Sequence, residues 1–373
     1  MDRDVELGRA GINEDLLGPP PAHVHRTLAD VDRGDRAPAA KPAEQPPGPV
    51  RTRLYRNGVV AEEGFPPQRI SEYLDEGSEA VVWLDLCSPT PHQLELLRSE
   101  FGLHSLAIED ALDETQRTKL DRYRTHLFLS AHSAVLEENT GRLLSHEIAV
   151  FITPCALITV RKDPGFDIEP VVALWDSSAD LAHFGVSFLL WGLLDHLVDG
   201  HFHAVESLDE AVELAEDQLF SSSRHAVERV QRRSFELRKS LVLLRRVTLP
   251  MREVVNSLLR QDLGVVPEPM APYYHDVYDH VIRASEWTES LRDLITTIVE
   301  TNLTLQGNRM NLIMKKVTSW AAIIAVPTAI TGWYGQNLPY PGVETRWGFW
   351  LSSILIVGGA TGLYFLFKRK DWL

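Results

Sequence analysis

Two stretches near the C-terminus constrain this chain more than any other feature. After Lys315 and Lys316 the sequence runs VTSWAAIIAVPTAITGWY, and a little further on WGFWLSSILIVGGATGLYFLF, neither carrying a charge. A bilayer core takes ~17–25 residues of apolar helix, so each run is long enough to cross a membrane. Lysines precede the first run, and Lys368, Arg369 and Lys370 follow the second. Basic residues accumulate on the cytoplasmic side of spans, which places both of those ends in the cytoplasm and the connection GQNLPYPG on the outer side. Trp320, Trp333, Tyr334, Trp347, Trp350 and Trp372 lie near the span ends, where amphipathic rings anchor at the interface.

The remainder of the 373 residues divides by composition and period. Residues 1–50 are rich in Pro, Ala, Asp and Arg without apolar periodicity and read as a disordered tail. Residues 51–166 alternate short β-rich runs such as AVVWLDL and CALITVRK with helical stretches such as PHQLELLRSEFGL, the pattern of a mixed α/β domain. Residues 167–310 show apolar residues at helical spacing and form a cytosolic helical and stalk region, with a last long helix from about Pro272. The spans then occupy 311–334 and 347–367, joined by an outer loop at 335–346 and followed by a basic cytosolic tail at 368–373. A formal charge of −15 excludes nucleic acid as a partner. The two cysteines, Cys87 and Cys155, are too few for a disulfide framework or a cysteine zinc site. No phosphate loop, no His-Glu-x-x-His and no nucleophile elbow occurs, so the chain does not read as an enzyme.

Two helices cannot enclose a water-filled path, whereas a closed ring of identical subunits can. On the first span Asn311, Met314, Thr318, Ala321, Ala325, Thr328, Gly332 and Gly335 recur at three- and four-residue steps. Such a small or polar stripe faces either a pore or a close helix neighbour. Gly358 and Gly362 in the second span form a G-x-x-x-G, which reads as a packing motif. In the cytosolic part Asp195 and Asp199 are one helical turn apart, so both carboxylates can face one ion. His196, His201 and His203 stand beside them, either as nitrogen ligands for zinc or as ordinary surface residues of a helix.

The blocks LAIEDALDETQRTKLDRYRTHLFL, LDHLVDGHF, YYHDVYDHVI, the Tyr334-Gly335-Gln336-Asn337 sequence and the terminal FKRKDWL, in that order, resemble the CorA family of divalent-cation channels from about Leu54 to Leu373. The resemblance implies a homopentameric funnel: a cytosolic α/β domain, a long stalk helix running into the first span, a short outer loop and a second span in the cell membrane, with both termini cytoplasmic. It implies a selectivity filter at Gly335, Gln336 and Asn337, whose neutral oxygens would hold hydrated Mg2+ through its waters. Asn311 and Thr328 match polar positions lower in the family's pore, Met314 and Val317 its apolar constriction. Glu109, Asp110, Asp195, Asp199 and Asp276 match positions where the family holds regulatory divalent ions between neighbouring cytosolic domains.

Three departures from the family pattern stand out. Gln336 replaces the usual methionine, Ala325 stands where a bulkier residue is common, and Thr115 stands where some relatives carry histidine. The expected cargo is Mg2+, with Co2+ and Ni2+ as further candidates. Zn2+ transport on the same fold is the alternative that Gln336 and the histidines leave open, and a two-span membrane sensor is a more distant one. The topology is testable directly. A cysteine introduced at Gly342 should react with an impermeant thiol reagent from outside, and one placed after Lys370 should not; the reverse labelling contradicts the orientation.

Overall fold

The computed structural model describes residues 48–75, 80–113, 116–137, 140–220, 224–336 and 345–373. The tail expected over residues 1–50 falls outside them, apart from Gly48 to Val50. The N-terminal part is a seven-stranded sheet in the order β2-β1-β3-β7-β6-β5-β4. Its strands are β1 (Val50–Arg56), β2 (Val59–Glu63), β3 (Ala80–Cys87), β4 (Lys119–Arg122), β5 (Leu127–Glu137), β6 (Arg142–Ile152) and β7 (Ala156–Arg161). Every neighbouring pair is antiparallel except β3 and β7, which run parallel in the middle of the sheet. Those two strands, AVVWLDLC and ALITVR, are nearly continuous apolar runs, as burial on both faces demands.

Side-chain alternation sends β3 both ways. Val82, Leu84 and Leu86 pack with Phe128 and Phe151 against the helices α1 (Ile70–Asp75), α2 (Pro91–Phe101) and α3 (Ser105–Leu112). Trp83, between them in sequence, joins Leu129 and Val150 on the opposite face, under α4 (Glu169–Ser177), α5 (Val186–Asp217) and the adjoining ends of α6 (Arg224–Leu259) and α7 (Ala271–Tyr334). The sheet is therefore the middle of three layers. Its parallel pair is fixed by a buried ion pair: Arg161 donates through Nη2 to Asp85 at 2.6 Å, Thr159 Oγ1 donates to the same carboxylate at 2.7 Å, and Arg161 Nη1 reaches the Phe166 carbonyl at 2.8 Å. Each guanidinium nitrogen of Arg161 has an acceptor there, Nε and Nη2 on Asp85 and Nη1 on the Phe166 carbonyl, which is what makes burial of such a pair tolerable.

Local signals start and stop the helices. Thr90 and Gln93 form a reciprocal capping box on α2 with Pro91 in its first turn, and Gly102 at φ 60° closes it. Gly192 is required on α5 for another reason: a Cβ there would come within 2.5 Å of Trp175 Nε1, the group that donates to the Leu189 carbonyl. Beyond the sheet, α5, α6 and α7 continue as a three-helix arrangement whose core is Leu208, Val212, Leu237, Leu241, Leu244, Leu291, Ile295 and Ile298. Tyr274 on α7 donates to the Ser187 carbonyl at 2.9 Å and ties the start of the long helix to α5. The 64 residues of α7 are unbroken and, at ~1.5 Å per residue, extend it far past the soluble core. The final helix, α8 (Arg346–Arg369), packs back along its end. Among the described residues these two helices are long and apolar enough to cross a membrane.

The histidines expected beside the carboxylates separate in the structure. His201 is 1% exposed and donates through Nε2 to the His132 carbonyl at 2.7 Å, beneath β5, and His203 lies on the exposed face beside Glu206. Burial pushes both His201 and His132 down to about 4, with Lys162 also opposing a charge on His132. An unfolded chain binds protons on these side chains below about pH 6.5 while the folded one does not until near 4, so stability is full above that pH and declines as pH falls through the window. Each histidine adds up to about 1.4 kcal/mol per pH unit to that slope. Thermal unfolding of the purified protein should therefore drop steadily between pH 6.5 and 4, and His201→Gln should flatten the slope; an unchanged slope removes His201 from the account.

Candidate functional site

The first-span end of α7 has two faces. At ~100° per residue, Ser319, Ala322, Ile323, Val326, Pro327 and Ile330 fall on one side, and these are the buried or half-buried positions. They meet α8, where Gly359 brings the two backbones together: a Cβ on Gly359 would lie 3.1 Å from the Val326 side chain. The G-x-x-x-G glycines do not supply this contact, since Gly358 and Gly362 have nothing within 4 Å of a built Cβ. The sequence pattern pointed to the right helix and to the neighbouring residue.

Asn311, Met314, Val317, Thr318, Ala321, Ala325 and Thr328 occupy an arc of roughly 120° centred roughly 150° away from the α8 contact, and all are exposed in the isolated subunit. Along this arc the polar side chains Asn311, Thr318 and Thr328 alternate with apolar ones. Thr328 donates its hydroxyl proton to the Ile324 carbonyl at 2.9 Å, so its oxygen is left with lone pairs alone to offer outward. That suits a cation or the water around one.

At the end of α7, Gly335 caps the helix with φ −84° and ψ −1°, and its N–H donates to the Thr331 carbonyl at 2.8 Å. Those angles are open to any residue, so glycine is not needed there for its conformational freedom. What glycine supplies is clearance: a Cβ would sit 3.0 Å from the Thr331 carbonyl oxygen. Gln336 is exposed beside it. Asn337, the remaining filter residue expected from sequence, lies outside the described residues.

Ahead of the spans the fold brings together Asp195 and Asp199 of α5 with Asp276 of α7. Burial, then the charges of Asp199 and Asp276, push the Asp195 carboxyl up to about 6, and His280 opposes that rise. His280 Nδ1 lies 3.6 Å from Asp199 Oδ1. Sequence reasoning missed His280, although it stands four residues after Asp276 and so on the same face of α7. Glu109 and Asp110 are elsewhere, on α3 across the sheet, and Asp110 pairs with Lys119 at 2.7 Å while Gln116 donates to it at 3.2 Å. Within one subunit, then, Asp110 does not meet Asp276. Among the described residues no three His, Cys, Asp or Glu side chains are placed to hold one ion. The α5 and α7 carboxylates are a mutually repelling cluster that a divalent cation would relieve, with oxygen donors of the type Mg2+ takes. A complete ligand set needs more than this cluster.

A stalk helix running from an α/β domain into a first apolar span, a second apolar helix behind it, and a small or polar stripe facing away define a two-span membrane protein. The chain belongs to the CorA-like Mg2+ transporter family, whose model matches residues 78–369. It is 30% identical over 344 residues to the cobalt/magnesium transport protein CorA of Thermotoga maritima, covering 88% of this chain and 97% of that one. It is 29% identical to the putative metal ion transporter YfjQ of Bacillus subtilis, over 81% of this chain and 92% of the relative. Among solved structures, the complete CorA magnesium transporter of Methanocaldococcus jannaschii aligns with a TM-score of 0.68 at 22% identity, covering 86% of this chain and 98% of that one. Full-length CmaX aligns with a TM-score of 0.61 at 22% identity, covering 88% and 99%. The α/β domain, the long stalk helix and the C-terminal apolar helix are thus those of a CorA-type fold.

The α7–α8 contact gives a prediction that needs no ion. Gly359→Leu should force the two helices apart, at about 1–3 kcal/mol for an overpacked contact, and lower the melting temperature of the detergent-solubilised protein. Gly358→Leu should do so less; equal losses would show that Gly359 is not the contact residue.

Proposed function

We propose that the chain assembles as a homopentamer whose α7 stripes line a path for hydrated divalent cations, Mg2+ first, with Co2+ or Ni2+ as further cargo. The observation that carries this reading is the position of the stripe. α8 occupies the opposite face of α7, so the side chains of Asn311, Thr318 and Thr328 are left exposed on a single subunit and gain a polar setting when several copies place them around water. Met314 and Val317 form the apolar constriction of that path, Ala321 and Ala325 its wider bore. Gly335, Gln336 and Asn337 form the filter at its outer mouth, with both termini in the cytoplasm. The domain boundaries expected from sequence follow the same plan: a tail at 1–50, the α/β domain at 51–166, the helical and stalk region at 167–310, spans at 311–334 and 347–367, the loop at 335–346 and the basic end at 368–373.

Neutral oxygens suit this task because Mg2+ gives up its waters reluctantly and is held best through them. A carboxylate ring would bind the ion too tightly for passage. We further infer that Asp195, Asp199 and Asp276 take up cytosolic divalent ions together with Glu109 and Asp110 of a neighbouring subunit, and that this binding favours the closed path. What supports it is the gathering of Asp195, Asp199 and Asp276, where burial first and then the two neighbouring carboxylates raise the Asp195 carboxyl. The ion would share Asp110 with Lys119, which weakens that position relative to the α5 and α7 cluster. No phosphate-binding or nucleophilic motif in the sequence supplies an enzymatic reading.

Three variants in reconstituted vesicles test the filter and the sensor separately. Asn337→Ala should bring Mg2+ flux to background with assembly intact by size. Gln336→Met should raise Mg2+ flux relative to Zn2+, since Zn2+ exchanges ligands readily and tolerates a direct protein donor. Asp276→Asn combined with Asp110→Asn should leave flux less inhibited by internal Mg2+ and the soluble part less protected from protease. Retained flux in the first variant removes Asn337 from the filter, an unchanged ratio in the second removes Gln336 from selectivity, and unchanged inhibition in the third refutes the sensor.

A further inference from the structure

A cleft of about 430 Å³ opens at the end of the α/β domain remote from the spans. Its walls come from four places in the chain: Arg122 to Leu127 at the β4–β5 turn, Ile152 to Pro154 at the β6–β7 turn, Phe184, Val186 and Ser187 where α5 begins, and Leu263 to Pro267 between α6 and α7. The charges are one-sided. Arg122 and Arg124 line the cleft, and no carboxylate does, although the chain as a whole carries −15. Of the acids adjacent in sequence to its walls, Asp121 pairs with Lys119 at 2.8 Å and Asp262 lies 4.0 Å from Arg260, while Glu268, next to Pro267, is exposed and is not part of the lining.

The cleft also receives the N-terminus of a 32-residue helix. No side chain caps α5, so its first-turn N–H groups and the positive end of its dipole are available there. Such a terminus favours anions and phosphate in particular. Two polar side chains of the wall, each 4% exposed, are left with an unpartnered atom: Ser187 Oγ and His126 Nε2. Thr125 gives its hydroxyl proton to the Gly102 carbonyl at 3.0 Å, so His126 Nδ1–H donates to Thr125 at 3.0 Å and Nε2 remains an acceptor. An occupant with both a phosphate and a hydroxyl or amino donor matches the chemistry of these groups, an acceptor at His126 and a hydroxyl at Ser187. The opposite wall, Phe184, Leu263, Val265 and Pro267, is apolar.

We propose that this cleft binds a phosphate-bearing small molecule of nucleotide size, its phosphate at Arg122, Arg124 and the α5 N-terminus and its apolar part against Phe184 and the α6–α7 connection. The volume lies within the ~300–1,000 Å³ of small-molecule sites and far exceeds what inorganic phosphate fills. A lipid headgroup is ruled out by distance. α7 begins just past Pro267 and reaches Lys316 about 68 Å further along at ~1.5 Å per residue, so the cleft lies well away from the bilayer surface. The occupant bridges the sheet and the connection that leads into α7, which is the helix that continues into the membrane.

The test is calorimetric binding to the full-length protein in detergent with EDTA present, using AMP, ATP and inorganic phosphate as probes. AMP or ATP should saturate one site per chain, more tightly than inorganic phosphate. Arg122→Gln with Arg124→Gln should weaken that binding about tenfold or more, Ser187→Ala should weaken it less, and Lys239→Gln on α6 should leave it unchanged. Arg124→Glu provides a second variant, and unaltered elution by size confirms that each is folded. Absence of nucleotide binding at millimolar concentration, inorganic phosphate binding as tightly as AMP, or binding unaffected by the double arginine variant would each overturn the proposal. None of these readouts depends on ion flux.

Discussion

The structure depends on α7 being one uninterrupted helix with a different obligation at each level. Near its start Tyr274, Val277 and Val281 complete the core under the sheet. Further along, Ala284, Leu291, Ile295 and Ile298 hold α5 and α6. Past Lys315 and Lys316 the same helix presents Ser319 and Val326 to α8 and leaves Thr318, Ala321, Ala325 and Thr328 exposed. In a bilayer every backbone group must be satisfied internally, which a helix does and a loop does not. Continuity from soluble core to span therefore follows from solvent as much as from sequence. It also gives the molecule a stiff connection, because displacing the packed end of α7 displaces the stripe.

Charge is distributed to match. Basic residues bracket the apolar spans, while carboxylates gather where α5 and α7 meet, deep enough for Asp195 to be pushed up to about 6 by burial and by Asp199 and Asp276. Such a cluster stores repulsion that only a cation or a proton relieves. Asp110, by contrast, is already answered by Lys119. The acids ahead of the spans thus fall into a mutually repelling group on α5 and α7 and an ion-paired one at Asp110 of α3, a division that residue type alone does not disclose.

Much of this was legible in the sequence, for identifiable reasons. The two spans, the long helices and the β-rich runs are carried by hydrophobic periodicity, which survives without knowledge of partners. The faces of α7 followed from spacing alone, and Asp195 with Asp199 from helical geometry. What was not legible depends on contacts between distant segments. Gly359 rather than Gly358 or Gly362 meets α7 because the rotation of α8 about its own axis is set by packing. Gly335 answers to the Thr331 carbonyl and not to a left-handed turn. His201 turned out to be a core residue bonded to the His132 carbonyl, and His280 a neighbour of the acids, because the relative rotation of α5 and α7 decides which histidine reaches which carboxylate.

The central claim is that the face of α7 turned away from α8 lines the ion path. It is tested most directly by scanning single cysteines along the span, in a chain with Cys87 and Cys155 replaced by alanine, with a water-soluble cationic thiol reagent applied during Mg2+ flux. The account predicts that reagent stops flux with cysteine at Thr318, Ala321, Ala325 or Thr328 and spares it at Ser319, Ala322, Val326 or Ile330. Block confined to the second set, or flux equally sensitive at both, would contradict it.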